Sequence, residues 1–130
     1  MRPVLALTSL LVAGAIVHAE PPRTMRLDYY HTGNVSQEIF AVDRVVIEPL
    51  AWPGNPHRPI DDLNVGSYSF EVIDKDSKKA LYSRGFSSVY AEWVTTNEAR
   101  SVHRTFHESL RFPRPERPVQ VVVRKRDAKN

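Results

Sequence analysis

The sequence predicts an all-β domain, a single antiparallel β-sandwich of about seven strands with one short helical turn near Thr96. Three observations carry that expectation. Apolar and polar residues alternate with period two in short runs spread from Thr24 to Arg126. Those runs are rich in valine, isoleucine and aromatic residues, which suit a pleated surface. Polar or proline-rich turns separate them.

The first run, Thr24 to His31, places Met25, Leu27 and Tyr29 on one face and Arg26, Asp28 and Tyr30 on the other, the pattern of a half-buried strand. Thr32-Gly33-Asn34 supplies a turn, because Gly and Asn tolerate positive φ. Ile39 to Glu48 forms the second strand region, stiffened by Val45, Val46 and Ile47. Tyr68, Phe70 and Val72 alternate with Ser69, Glu71 and Ile73; both faces are fairly apolar, so this strand is expected to be central. Asp74 to Lys79 is a polar turn, and Ala80 to Phe86 returns from it as the second half of a hairpin. Ser87 to Trp93 is open between strand and helix, since Phe86, Tyr90 and Trp93 also suit one helical face. Thr95-x-x-Glu98 matches a capping box, so a helical turn is placed near Thr96. Thr105 to Phe112 puts Phe106, Glu108, Leu110 and Phe112 on one face. Val119 to Arg126 closes the fold with Val119, Val121 and Val123 inward.

The chain has 130 residues and a net charge of +3, which suits one domain and by itself implies no polyanionic partner. Met1-Arg2 followed by the apolar Val4 to Val17 reads as a signal peptide, residues 1–19, with cleavage after Ala19. The apolar run is too short for a membrane span, which needs about 20 residues. The domain is then 20–130, and export to a periplasm or beyond is expected. No cysteine is present, so the core must hold without disulfides and no lipoprotein anchor forms. Acidic residues prevail between Glu20 and Ala99 and basic ones from Arg100 onward. Stacking aromatics are not interleaved with those basic residues, which argues against nucleic acid as a partner.

The segment Leu50 to Asp62 carries the first candidate site. Pro49, Pro53, Pro56 and Pro59 with Gly54 exclude a helix or a central strand. The rigid connector that results displays Trp52, His57, Arg58, Asp61 and Asp62. It reads either as a contact loop for another domain or partner, through Trp52, His57, Arg58 and Asp61, or as a stiff crossover between sheets. Two carboxylates are too few for calcium, which takes six to eight oxygens; Asp61 reads as a turn residue accepting backbone N–H groups. His103 and His107 have the i, i+4 spacing of a zinc pair on a helix, but Arg104 stands where a metallopeptidase glutamate would be. On a strand the two are about 13 Å apart, at about 3.3 Å per residue. No catalytic residue, metal site or cofactor is therefore expected. Glu108, on an apolar strand face, calls for an internal partner such as Arg84. Trp93 is expected in the core.

Several separated runs occur in one order: Thr24-Met25-Arg26-Leu27-Asp28-Tyr29-Tyr30-His31-Thr32-Gly33; Asp43-Arg44-Val45-Val46-Ile47-Glu48-Pro49-Leu50 leading into Trp52-Pro53-Gly54-Asn55-Pro56; Leu81-Tyr82-Ser83-Arg84-Gly85-Phe86, then Glu92-Trp93; and Thr105 to Pro113. Together they resemble the N-terminal domain of the IgA-type zinc metallopeptidases, metallopeptidase family sixty-four, over about Thr24 to Asp127. The resemblance implies a β-sandwich that precedes a zinc peptidase domain in secreted or surface bacterial proteins. Catalysis in that family belongs to the second domain, whose H-E-x-x-H motif this sequence lacks. The expectation is a non-catalytic accessory domain, with a zinc peptidase domain or a protein substrate as partner. The alternative is a free-standing exported module that binds a protein or glycan through the Trp52 loop.

Overall fold

The computed structural model describes residues 19–126, so all but the last residue of the expected signal peptide lies outside the described residues. Six strands, β1 (Arg23–Gly33), β2 (Glu38–Ala51), β3 (Tyr68–Asp74), β4 (Ala80–Phe86), β5 (Arg104–Pro113) and β6 (Val119–Lys125), form two three-stranded sheets. Their orders are β2-β1-β5 and β4-β3-β6, and every pairing is antiparallel. The sandwich is as expected; the segment that could have been a seventh strand is instead the helix α1 (Val89–Trp93). Ser88 caps it, accepting the Ala91 N–H at 3.1 Å, which satisfies one of the orphan donors of the first turn.

The helical turn lies at Glu98–Arg100, two residues past Thr96, and is a 3-10 turn. The capping box does not form. Thr95 Oγ1 donates to the Glu92 carbonyl at 2.7 Å, closing the end of α1, while Glu98 is taken by Trp93 Nε1 at 2.7 Å and by Arg104. Trp93 is half-buried beside Tyr90 and Phe106.

Burial follows the period-two pattern where a strand is covered. In β3, Tyr68, Phe70, Val72 and Asp74 are all buried and the residues between them are not, as its central place in the second sheet requires. Opposite them Tyr29, Leu110 and Phe112 complete the core with Tyr82. Each such fully buried apolar side chain contributes about 1.5–3 kcal/mol, and with no disulfide in the chain this packing is the main source of stability. Gly33 ends β1 at φ +145°, where a Cβ would collide with the Gln37 carbonyl; only glycine fits that turn.

The outer face of the first sheet is a ladder of paired charges. Asp28, only 1% exposed, accepts from Arg26 Nε at 2.8 Å, Arg44 Nε at 2.9 Å and Ser109 Oγ at 2.7 Å. Glu48 accepts from Arg26 Nη1 at 3.0 Å and Arg111 Nε at 3.1 Å. Such a face suits solvent.

Candidate interaction surface

Cross-strand partners share a sheet face, so the register of β2 on β1 identifies which β2 side chains point inward. His31 pairs with Phe40, Tyr29 with Val42, Leu27 with Val45 and Met25 with Ile47. The step from Val42 to Val45 spans three residues against two on β1, because a bulge at Asp43 and Arg44 adds one. The bulge turns Arg44 toward Asp28 and Asp43 toward His107, and keeps four apolar β2 residues on the inner face. That face should be core. Yet Phe40 is 40% exposed, Val42 71%, Val45 58% and Ile47 42%. The second sheet covers β1 and β5 and leaves β2 open.

The flanks of this open side are set by contacts between the sheets. Lys125 at the end of β6 donates to Glu38 at the head of β2 at 2.5 Å, and Tyr68 of β3 donates to the same carboxylate, so the end of β6 lies beside the head of β2. On the opposite flank Ser88 and Tyr90, which follow β4, close over Glu108 and His31. Val119, Val121 and Val123 of β6 face inward and are half-buried against the core.

Above the open side lies a polar centre that the sequence reading missed. His31 is fully buried, with Nε2 2.8 Å from Glu38 Oε1 and Nδ1 3.0 Å from Glu108 Oε2. Its ring is stacked between Phe40 and Tyr90, at 4.1 and 4.0 Å between centroids. Tyr29 donates to Glu108 at 2.9 Å, and Tyr68 donates to Glu38. Burial pushes the Glu108 carboxyl up, but hydrogen bonds from His31, Tyr29 and Ser88 outweigh it and hold the group below its ordinary value of 4.5. Glu38 is likewise raised by burial and lowered more by Lys125, Tyr68 and His31. Burial, reinforced by the adjoining glutamates, drives the Tyr29 and Tyr68 phenols up. The partner of Glu108 is thus His31; Arg84 instead donates to the Arg58 and Pro59 carbonyls and lies over the Tyr82 ring. Both carboxylates are partnered, and the arrangement pins β1, β2, β3, β5, β6 and α1 together.

The Trp52 loop is stapled to β4. Ser83 N donates to the Pro59 carbonyl at 3.0 Å, Asp61 N donates to Ser83 Oγ at 2.8 Å, and Arg126 reaches Asp61 Oδ2 at 3.3 Å. Asp61 Oδ1 accepts the Leu63 N–H at 3.3 Å, the turn role read from the sequence. Trp52 is half-buried, edge-on to Tyr82 at 5.6 Å. With Pro21, Pro22, Pro56, Pro59 and Tyr82 it lines a cleft of about 260 Å³. His57 and Arg58 are exposed, and Arg58 pairs with Asp62 at 2.5 Å. The loop is both a crossover and a surface.

His103 and His107 do not come together on a helix: β5 begins at Arg104, leaving His103 before the strand and His107 within it. His107 Nε2 lies 3.1 Å from Asp43 Oδ2, and Asp28, Asp43 and His107 each bring a ligand atom within 4.8 Å of the others. The chemistry is poor for a cation. The Arg26 guanidinium, Ser109 and Arg44 already occupy the Asp28 oxygens and hold that carboxyl far below its ordinary range. Among the described residues no helix is long and apolar enough to cross a membrane.

The family model described as Peptidase M64 N-terminus matches residues 18–130. No curated protein matches the chain.

Proposed function

Because the chain belongs to the peptidase M64 N-terminal domain family, we propose that it acts as an exported, non-catalytic accessory domain that packs against a zinc peptidase domain of that family or contacts its protein substrate. The supporting observation is that the family match spans residues 18–130 and covers the N-terminal domain alone; no catalytic domain is found in the chain. Physical chemistry agrees with that role. The buried histidine and carboxylates are mutually satisfied, an arrangement that stabilises structure and leaves no group free for acid–base work. Export to a periplasm or beyond, with cleavage after Ala19, rests on the charged start and the apolar Val4 to Val17.

A second reading is favoured by one specific feature, the Trp52–Tyr82 cleft walled by prolines. An aromatic-lined groove suits an extended proline-rich peptide or a sugar face, and a free-standing binding module would use it. His57, Arg58 and Asp61 would then supply polar contacts at its margin.

Titration of the chain against the separately purified peptidase domain of a full-length M64 protein, followed by calorimetry, separates these readings. The accessory role predicts a saturable one-to-one complex. Absence of binding at the highest attainable concentrations, for peptidase domains from several members, contradicts it.

A further inference from the structure

We infer that the open side of the sandwich, formed by Phe40, Val42, Val45 and Ile47 of β2 beside the Glu38–Lys125 pair, is the seat of the M64 peptidase domain. The inference rests on the accessory reading above and goes beyond it by naming the surface.

Three features argue for this occupant. The first is the contrast between the two faces of the same sheet. On the outer face carboxylates and guanidinium groups are paired in register, so covering it would mean desolvating a charge network. On the inner face of β2 the four exposed side chains are uncharged and apolar, so covering them releases water at little polar cost. Exposed apolar clusters with a polar rim mark interaction sites; here the Glu38–Lys125 pair forms the rim at one end.

The second is chain order. Among the described residues β6 is the last element, and it ends at Lys125, beside Glu38 of β2. In a protein where a peptidase domain follows this one, the connection leaves from beside the head of β2. A tethered domain therefore has a high effective concentration at the open side and a lower one at the Trp52–Tyr82 cleft, which lies at the other end of β2.

The third is the strand edge itself. β2 is paired only with β1, and its 14 residues carry no lysine, with Pro49 as the one proline before its final two residues. The bulge at Asp43 and Arg44 interrupts the edge once, and the stretches on either side of it, 39–42 and 45–47, carry no charge to keep a free edge from pairing.

The test uses the chain and the peptidase domain of a full-length M64 protein. Val42→Glu and Val45→Glu place a charge on the open side, and Val42→Thr keeps the β-branched shape while adding one hydroxyl. Each variant is checked by its thermal unfolding midpoint and its elution volume. The inference predicts that the glutamate variants bind the peptidase domain about tenfold or more weakly, that the threonine variant falls between them and the parent, and that unfolding midpoints stay near the parent's. Parent-like affinity in folded glutamate variants overturns the inference while leaving the accessory role in place. A parent chain that dimerises through Val42 and Val45 with no change on adding the peptidase domain makes a second copy the occupant and overturns it too. If the parent fails to bind any M64 peptidase domain, the accessory role and this inference fall together.

Discussion

Glu108 Oε2 lies 3.0 Å from His31 Nδ1 even though the pairing of β1 with β5 sets Glu108 directly opposite Tyr29. The contact is diagonal, within the reach of long side chains across neighbouring strands. It lets one carboxylate serve His31 and Tyr29 together while Glu38 takes the other ring nitrogen. Replacing the ring leaves two partly buried carboxylates short of a donor and removes the slab between Phe40 and Tyr90. His31→Ala is expected to cost about 3 kcal/mol. Urea unfolding should show a lower midpoint with an unchanged slope.

Acid should act on the same centre. Glu38 and Glu108 both titrate below their ordinary 4.5 in the folded chain. A carboxyl whose value is lowered by folding adds stability that is fully present above the ordinary value. That stability is lost as pH falls through the lowered one. The fold should therefore hold steady from neutral pH to about pH 5 and weaken progressively below the ordinary carboxylate value. Glu108→Gln should start less stable and lose less on acidification, which chemical unfolding at neutral pH and at about pH 3 would measure.

Trp52→Ala separates the loop from the open side. The indole is half-buried against Tyr82 and the core cluster, so truncation is expected to cost about 1–2 kcal/mol, less than for a fully enclosed tryptophan. Affinity for the peptidase domain should remain within about twofold of the parent's. A larger loss in the folded variant would move the contact to the loop.

Much of this architecture is written in local pattern. Met25, Leu27 and Tyr29 alternate inward as their spacing requires, and Tyr68, Phe70 and Val72 are buried on a central strand. The hairpin over Asp74 to Lys79 follows from its polar tip, which closes with Lys78 at φ 59°. The helix was less legible, since five residues show barely more than one turn of any periodicity and the cap at Ser88 lies before them. His31 was read only as a strand residue because its partners come from Glu38 and Glu108, brought together by tertiary pairing. The exposure of β2 was hidden for the same reason. Val42 and Val45 look like opposite-face residues at a spacing of three, and only the bulge places both inward. Whether an inward residue is covered depends on how far the opposing sheet extends, which no local pattern records.

Amide hydrogen exchange of the chain with and without the M64 peptidase domain reads the cover of the open side of β2. New protection should concentrate in β2 between Phe40 and Ile47, with the Trp52 to Asp62 loop unchanged. Protection confined to that loop, or no change in β2 at saturating peptidase domain, would contradict that cover.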